Sequence, residues 1–358
     1  MKEIRLMKGN EAFSEGVIRC GTDGYFGYPI TPQSEVLEYL EAEQPEKRTG
    51  MVVLQAESEV AAINMVYAGA GCGKKVVTSS SSPGISLKQE GISYIAGAEL
   101  PALILNVVRG GPGLGTIQPS QSDYFQSVKG GGHGDYHLIV LAPASVQEMY
   151  DFADLGFELA FKYRNPALIL SDGAIGQMME KVEIGDQKKR LTTEEVNEKY
   201  PWATTGKNPG KKRRIITSLE LDSAKQEKFN QKLIEKYKEI EKNEVRYEEI
   251  QTEDAEFLIV AYGTSSRICQ KTIQLARAKG IKLGMLRPIT LFPFPKKRLA
   301  ELANQVKGML SVEMSAGQMV EDVQLAVNGK IPVCHYGRMG GMIPSPGEIL
   351  KVVEEKIK

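Results

Sequence analysis

"KKVVTSSSSPGISLKQEGISYIAGAELPALILNVVRGG", residues 74 to 111, decides the fold. A short apolar run ends in four serines. A helical pattern follows, and a second apolar run, Leu103 to Val108, ends in arginine and glycines. Short apolar runs bounded by turn residues and separated by a helix fit parallel strands buried on both faces. The same alternation extends in both directions. "GMVVLQAE" precedes it, and "YHLIVLAP" and "NPALILSDG" follow, with helical "ESEVAAINMVYAGAG" and "SVQEMYDFADLGFELAFKY" between them. The expected fold is therefore α/β, a parallel sheet with helices on both faces.

With 358 residues, the chain is expected to divide in two. Residues 1–185 form the first unit. Residues 186–250 are charge-dense and read as a linker whose second half is a solvated helix. A second α/β unit occupies 251–358, starting with "AEFLIVAYGTSSR". Apolar residues make up 42% and charged residues 25%, as in soluble globular proteins. Lysine plus arginine number 45 and aspartate plus glutamate 45, so charge gives no support for nucleic-acid or membrane binding. No apolar run approaches the roughly 20 residues of a membrane span. "MKEIRLMKGNEAFSEG" lacks the apolar stretch of a signal peptide, and the cytoplasm is the expected location. Cys20, Cys72, Cys269 and Cys334 are too dispersed for a metal site or iron–sulfur cluster, and the three histidines are equally scattered. No metal is expected on this chain.

Ligands of open α/β sheets sit beyond the carboxyl ends of the strands, so the segments after each strand are the candidates. In "YFGYPITPQSE", residues 25 to 35, Pro29 and Pro32 stiffen a loop with Thr31 at its tip. Pro32 suits the first turn of a helix, which leaves Thr31 open to a plain N-cap role as well. After "MVVLQAE" come Glu57 and Glu59. Glu59 opens a helix of small residues, where it either caps or does chemistry. "SSSSPG" reads as an anion-binding helix start or as a polar turn. "RGGPGLG" places Arg109 at a strand end, as a carboxylate clamp or a surface cation. Its glycines lack dinucleotide-fingerprint spacing, and no phosphate-binding P-loop exists. "LSDGAIGQ", Ser171 to Gln177, with Asn197 downstream imitates a diphosphate–Mg²⁺ motif. Asn197 lies in polar "TTEEVNEKY" rather than after an apolar strand, so that reading is rejected.

Together, "YFGYPITPQSE", "LQAESEVAAINM", "TSSSSPGISLKQEGISY", "RGGPGLGTIQPSQSDYFQ" and "GGGHGDY" closely resemble the alpha subunit of 2-oxoacid:ferredoxin oxidoreductases, most of all the branched-chain type acting on 2-oxoisovalerate. "VAYGTSSR", "RPITLFPFP" and "VEMSAGQM" are similar to the transketolase C-terminal-like domain of the same subunit. The resemblance implies that residues 1–185 are the pyrimidine-binding half of a thiamine diphosphate site. The diphosphate and Mg²⁺ half would then lie on a beta subunit. It implies that Glu59, in the E-x-x-A arrangement with Ala62, bonds N1′ of the aminopyrimidine in preference to Glu57. Thr31 and Arg109 would contact the oxo acid, and Tyr28, Pro29 and Ser82 the cofactor. The implied reaction is oxidative decarboxylation of a 2-oxo acid, with coenzyme A taking the acyl group and ferredoxin the electrons. The [4Fe–4S] clusters would sit on partners only, among beta, gamma and ferredoxin-like delta subunits. Pyruvate and 2-oxoglutarate stay open as substrates. An indolepyruvate type would carry cluster cysteines missing here. A non-redox relative of transketolase or acetolactate synthase would carry both cofactor halves. A scaffold subunit would have lost Glu59, Thr31 or Arg109.

Overall fold

The computed structural model describes residues 3–206 and 213–357. Its strands are β1 (Glu3–Lys8), β2 (Gly24–Gly27), β3 (Val52–Gln55), β4 (Val76–Ser80), β5 (Leu103–Val108), β6 (Ile139–Leu141), β7 (Ala167–Asp172), β8 (Met179–Ile184), β9 (Tyr247–Ile250), β10 (Phe257–Val260), β11 (Leu283–Pro288), β12 (Thr290–Phe292), β13 (Gly308–Glu313) and β14 (Val333–Gly337). A seven-stranded sheet runs in the order β12-β6-β7-β5-β4-β2-β3, parallel except for β12. A five-stranded sheet runs β14-β13-β10-β11-β9, parallel except for β9. β1 and β8 pair as a separate antiparallel ribbon.

The apolar runs explain the centre of each sheet. Every residue of β5 and β7 is buried, in the register Leu103↔Ala167 through Val108↔Asp172. Strands covered on both faces need no alternation, which is why they read as unbroken apolar segments. The helices between them return the chain for the next parallel strand. Helices Glu59–Gly71 and Ser82–Gly97 lie close together because Gly91 lacks a side chain: a Cβ there would come within 2.6 Å of Ile63.

The charged stretch after residue 185 differs from a solvated linker. Helix Ser223–Asn243 buries Leu233, Tyr237 and Ile240, a stripe at i, i+4, i+7 that joins the core of the larger sheet. Burying each such side chain contributes roughly 1.5–3 kcal/mol, enough to fix the helix in place. Lys232 and Lys236 then pair with Glu99. β9 opens the second sheet inside the stretch read as linker. β12, from beyond residue 251, closes the edge of the first sheet against β6, with Thr290 opposite Leu141. The two sheets thus share chain. Among the described residues no helix is long and apolar enough to cross a membrane.

Polar hinges join the layers. Gln121 donates to Tyr262 O at 2.9 Å, and its Oε1 accepts from Ser265 Oγ at 2.7 Å and from Met314 N at 2.9 Å. Asp172, at the end of β7, accepts from Thr264 Oγ1 at 2.8 Å, and it also caps helix Gly173–Gln177 through Ala174 N and Ile175 N. Glu313, fully buried at the end of β13, accepts from the backbone N–H groups of Gln318, Met319 and Val320 and so caps the helix Met319–Val327.

Candidate active site at the carboxyl ends of the central strands

The segments after β2, β3, β4 and β5 converge. The loop after β2 is gripped through its carbonyl groups. Asn10 and Gln177 donate to Pro32 O at 2.8 and 3.2 Å, and Gln33 Nε2 donates to Tyr28 O at 3.2 Å. Ser79 Oγ donates to Gln33 Oε1 at 2.6 Å and is joined to the Tyr25 hydroxyl at 2.7 Å, which ties the loop to β4. Thr31 stands exposed at the tip, and its hydroxyl makes no hydrogen bond among the described residues. Tyr28 and Pro29 are half-buried beside it. The expectation that Pro32 begins a helix is corrected: the helix runs Ser34–Glu43 with Gln33 at its N-cap and no side-chain capping bond. Thr31 is therefore no cap either. Gln33 is drawn away to the Tyr28 carbonyl and Ser79, which is why it leaves the helix end alone.

Glu59 is the first residue of its helix, capped by Ser58, whose side chain accepts from Ala61 N. It is 7% exposed, and its carboxylate has no hydrogen-bond partner among the described residues. Glu57, the rival, is exposed and accepts from Ser58 Oγ at 2.9 Å. The Glu59 side chain passes over Gly84: a Cβ there would lie 2.8 Å from its Oε1 and 2.1 Å from Ser80 Oγ. Ser80 and Ser81 hydroxyls are buried without hydrogen-bond partners among the described residues.

Ser82 sits at φ 20°, a conformation that side chains other than glycine rarely adopt. It is held there by a polar knot: its N–H donates to Asn106 Oδ1 at 3.1 Å and its hydroxyl to Asp123 Oδ2 at 2.7 Å. Asn106 Nδ2 donates to the same carboxylate at 2.9 Å, and burial pushes the Asp123 carboxyl above its ordinary range. Arg109 is 7% exposed. It bridges two loops, with Nη1 donating to Thr31 O and Nη2 to Leu114 O, both at 2.9 Å, while Nε has no hydrogen-bond partner among the described residues. Beside it opens a cleft of about 460 Å³ lined by Ser82, Arg109, Pro112, Asp123, Met314 and Met339 among others.

Residues 15–249 match the family model "Pyruvate flavodoxin/ferredoxin oxidoreductase, thiamine diP-bdg", and residues 255–349 match "Pyruvate:ferredoxin oxidoreductase core domain II". The chain is 52% identical to the ketoisovalerate oxidoreductase subunit VorB of Methanothermobacter marburgensis, over 98% of this chain and 97% of that one. The chain belongs to the 2-oxoacid:ferredoxin oxidoreductase family. The 2-oxoglutarate synthase subunit KorA of the same organism is 35% identical, with 99% of each covered. A solved 2-oxoglutarate:ferredoxin oxidoreductase from Magnetococcus marinus, with 2-oxoglutarate, coenzyme A and succinyl-CoA bound, superposes with a TM-score of 0.85 at 26% identity. The match covers all of this chain, which spans 66% of that one. A split-gene transketolase, an inactive beta4 tetramer, shares the fold at a TM-score of 0.62 and 13% identity.

The family model matched over residues 15–249 is described as thiamine diphosphate-binding. The residues present leave room for a heteroaromatic ring: a buried carboxylate without a hydrogen-bond partner, a glycine with no Cβ in the way, and two serine hydroxyls without partners among the described residues. Gly84→Ala fills that room. It is expected to weaken thiamine diphosphate binding by the assembled oxidoreductase about tenfold, the effect of some 1.4 kcal/mol. Calorimetric titration of the folded complex checks it, and the same clash with Ser80 Oγ is expected to lower the melting temperature. The Asp172 motif is used otherwise, as the hinge to Thr264 described above. Asn197 lies in helix Thr193–Lys199, and its Oδ1 accepts from Arg214 Nη1 at 2.9 Å.

Sequence reasoning missed Asn106, Asp123 and Lys88. Lys88 left a signal: in helix Ser82–Gly97 it occupies the stripe of Gly84, Ile85, Ile92 and Ile95, all buried. Asn106 left a weaker one, as the single polar residue inside an apolar strand.

Proposed function

We propose that this chain supplies the pyrimidine-side half of a thiamine diphosphate site. The oxidoreductase it belongs to would decarboxylate 2-oxoisovalerate in the presence of coenzyme A, yielding the branched acyl-CoA, CO₂ and reduced ferredoxin. The observation that carries the reading is Glu59, a buried carboxylate at a helix start with no partner of its own. Thiamine diphosphate bound here would supply the electron sink for loss of CO₂. Glu59 would hold a proton at N1′ of its pyrimidine, with Ser82, Tyr28 and Pro29 around the ring. Thr31 would present its free hydroxyl to the oxo acid. Arg109 would set the position of Thr31 through the carbonyl it already bonds, and turn its unused N–H toward the substrate carboxylate. Holding reactants in place in this way contributes several kcal/mol in general.

Two observations support the branched substrate over 2-oxoglutarate. Identity to the ketoisovalerate subunit is 52% against 35% for the 2-oxoglutarate subunit. The cleft beside Arg109 also offers Pro112, Met314, Ala316 and Met339, and among its described lining residues Arg109 is the one cation. A second substrate carboxylate would have no counter-charge there. In this reading the diphosphate, Mg²⁺ and the [4Fe–4S] clusters sit on partner beta, gamma and ferredoxin-like delta subunits in the cytoplasm. The complex, purified anaerobically through this chain, is assayed for coenzyme A-dependent viologen reduction on a panel of 2-oxo acids. The highest kcat/KM is expected with 2-oxoisovalerate. Preference for pyruvate or 2-oxoglutarate would replace the substrate assignment, and an intact complex that turns over none of the 2-oxo acids and holds no thiamine diphosphate would remove the whole reading.

A further inference from the structure

Lys88 is fully buried. Lysine is almost never found so deep unless paired. Its ammonium donates to Thr78 Oγ1 at 2.7 Å and to Ser79 O at 3.3 Å, and among the described residues no ion pair within 4.0 Å joins it to a carboxylate. Two neutral oxygens do not repay the desolvation of an ammonium. The charge that favours it is Glu59. The geometry explains how. Gly84 lies four residues before Lys88, on the same face of the same helix, and the Glu59 side chain crosses that glycine. From β4, Lys88 faces Thr78 and Ser79, and behind Ser79 is Tyr25, whose hydroxyl burial pushes up to about 12 so that it stays neutral. From helix Glu59–Gly71 it faces Glu59 itself. Burial pushes the Lys88 ammonium down to about 7, with Glu59 opposing the shift.

We propose that Lys88 is a positioning residue for Glu59: the two form a buried charge pair across Gly84, and the ammonium fixes the carboxylate in the orientation that proton exchange with the pyrimidine requires. The proposal rests on the thiamine reading for its function, but the pair itself does not. Its experiment uses the assembled complex in four forms: parent, Lys88→Met, Glu59→Gln and the double variant. Melting temperature is measured from about pH 6 to 10, the range in which a depressed lysine titrates, together with thiamine diphosphate affinity and kcat.

Lys88 in the folded chain holds fewer protons than in the unfolded chain between about pH 7 and its ordinary value. Parent stability therefore rises with pH across that window. Lys88→Met is expected to melt no lower than the parent near neutrality, with its advantage shrinking as pH rises. Its kcat is expected to fall about tenfold or more, with KM for the oxo acid little changed. Its advantage in melting temperature is expected to be larger in the Glu59→Gln background, where the lysine has lost its counter-charge. Additive melting shifts would overturn the pair, whatever the activities. Glu59→Gln leaving thiamine diphosphate binding and turnover intact would overturn the thiamine reading and leave the pair standing. If Lys88→Met fails to assemble, Glu59→Gln alone decides: the pair requires it to extend the rise of stability with pH below neutrality, and an unchanged pH dependence overturns it.

Discussion

Glu59→Gln is expected to abolish turnover while leaving the subunit folded and the complex assembled. The carboxylate makes no hydrogen bond among the described residues, so an amide of the same shape fits its place. The variant also removes the charge that favours the buried Lys88 ammonium, so it is expected to melt lower than the parent near neutrality without unfolding. The amide cannot exchange a proton at pyrimidine N1′, and general acid–base groups contribute about 10²- to 10⁴-fold to rate. The loss should appear in kcat, with the 2-oxo acid KM changed little. Viologen reduction and size-exclusion chromatography of the same preparation check both halves of the statement. Turnover within threefold of the parent would show that Glu59 is only the opening charge of a helix, and Glu57→Gln on the exposed neighbour serves as the control.

Asp172→Ala is expected to be the most destabilising single change at the junction of the two sheets. Asp172 caps a helix of its own layer and accepts from Thr264 of the next. Loss of the cap costs about 1 kcal/mol. The orphaned Thr264 hydroxyl adds about 1–3 kcal/mol, because no water replaces the acceptor in a fully buried position. The complex should melt several degrees lower, as read by scanning calorimetry. Burial pushes the Asp172 carboxyl above its ordinary value. The folded chain therefore holds this proton to higher pH than the unfolded chain, and its contribution to stability falls as pH rises between the two values. Asp172→Asn keeps an acceptor for the helix and for Thr264 and should flatten that acid-side slope. A melting temperature for Asp172→Ala equal to the parent would mean that the layers are held by Gln121 and the apolar contact alone.

The apolar runs of β4, β5 and β7 and the helices between them were legible because both signals are local. A strand buried on two faces must be apolar throughout, and a helix against it must repeat its apolar face every turn. The order of strand and turn then placed Thr31, Glu59, Ser82 and Arg109 at the same end of the sheet before any contact was known. The charged helix was expected, but its docking was not: its polar majority masked the stripe of Leu233, Tyr237 and Ile240, three positions in twenty-one.

By itself, the sequence determined the parallel α/β architecture, the family, and which residues stand at the strand ends. Each of these follows from residue types at short, fixed spacing. Only the tertiary structure decided what those residues do with their polar groups. It turned Arg109 toward two backbone carbonyls, gave Asp172 to Thr264, drew Gln33 away from its helix, and placed Lys88 beneath Glu59. It also sent Thr290–Phe292 back to the edge of the first sheet. Hydrogen bonds and desolvation depend on which distant segments close over a group. That closure is set by how the layers pack, which no local pattern in the chain encodes.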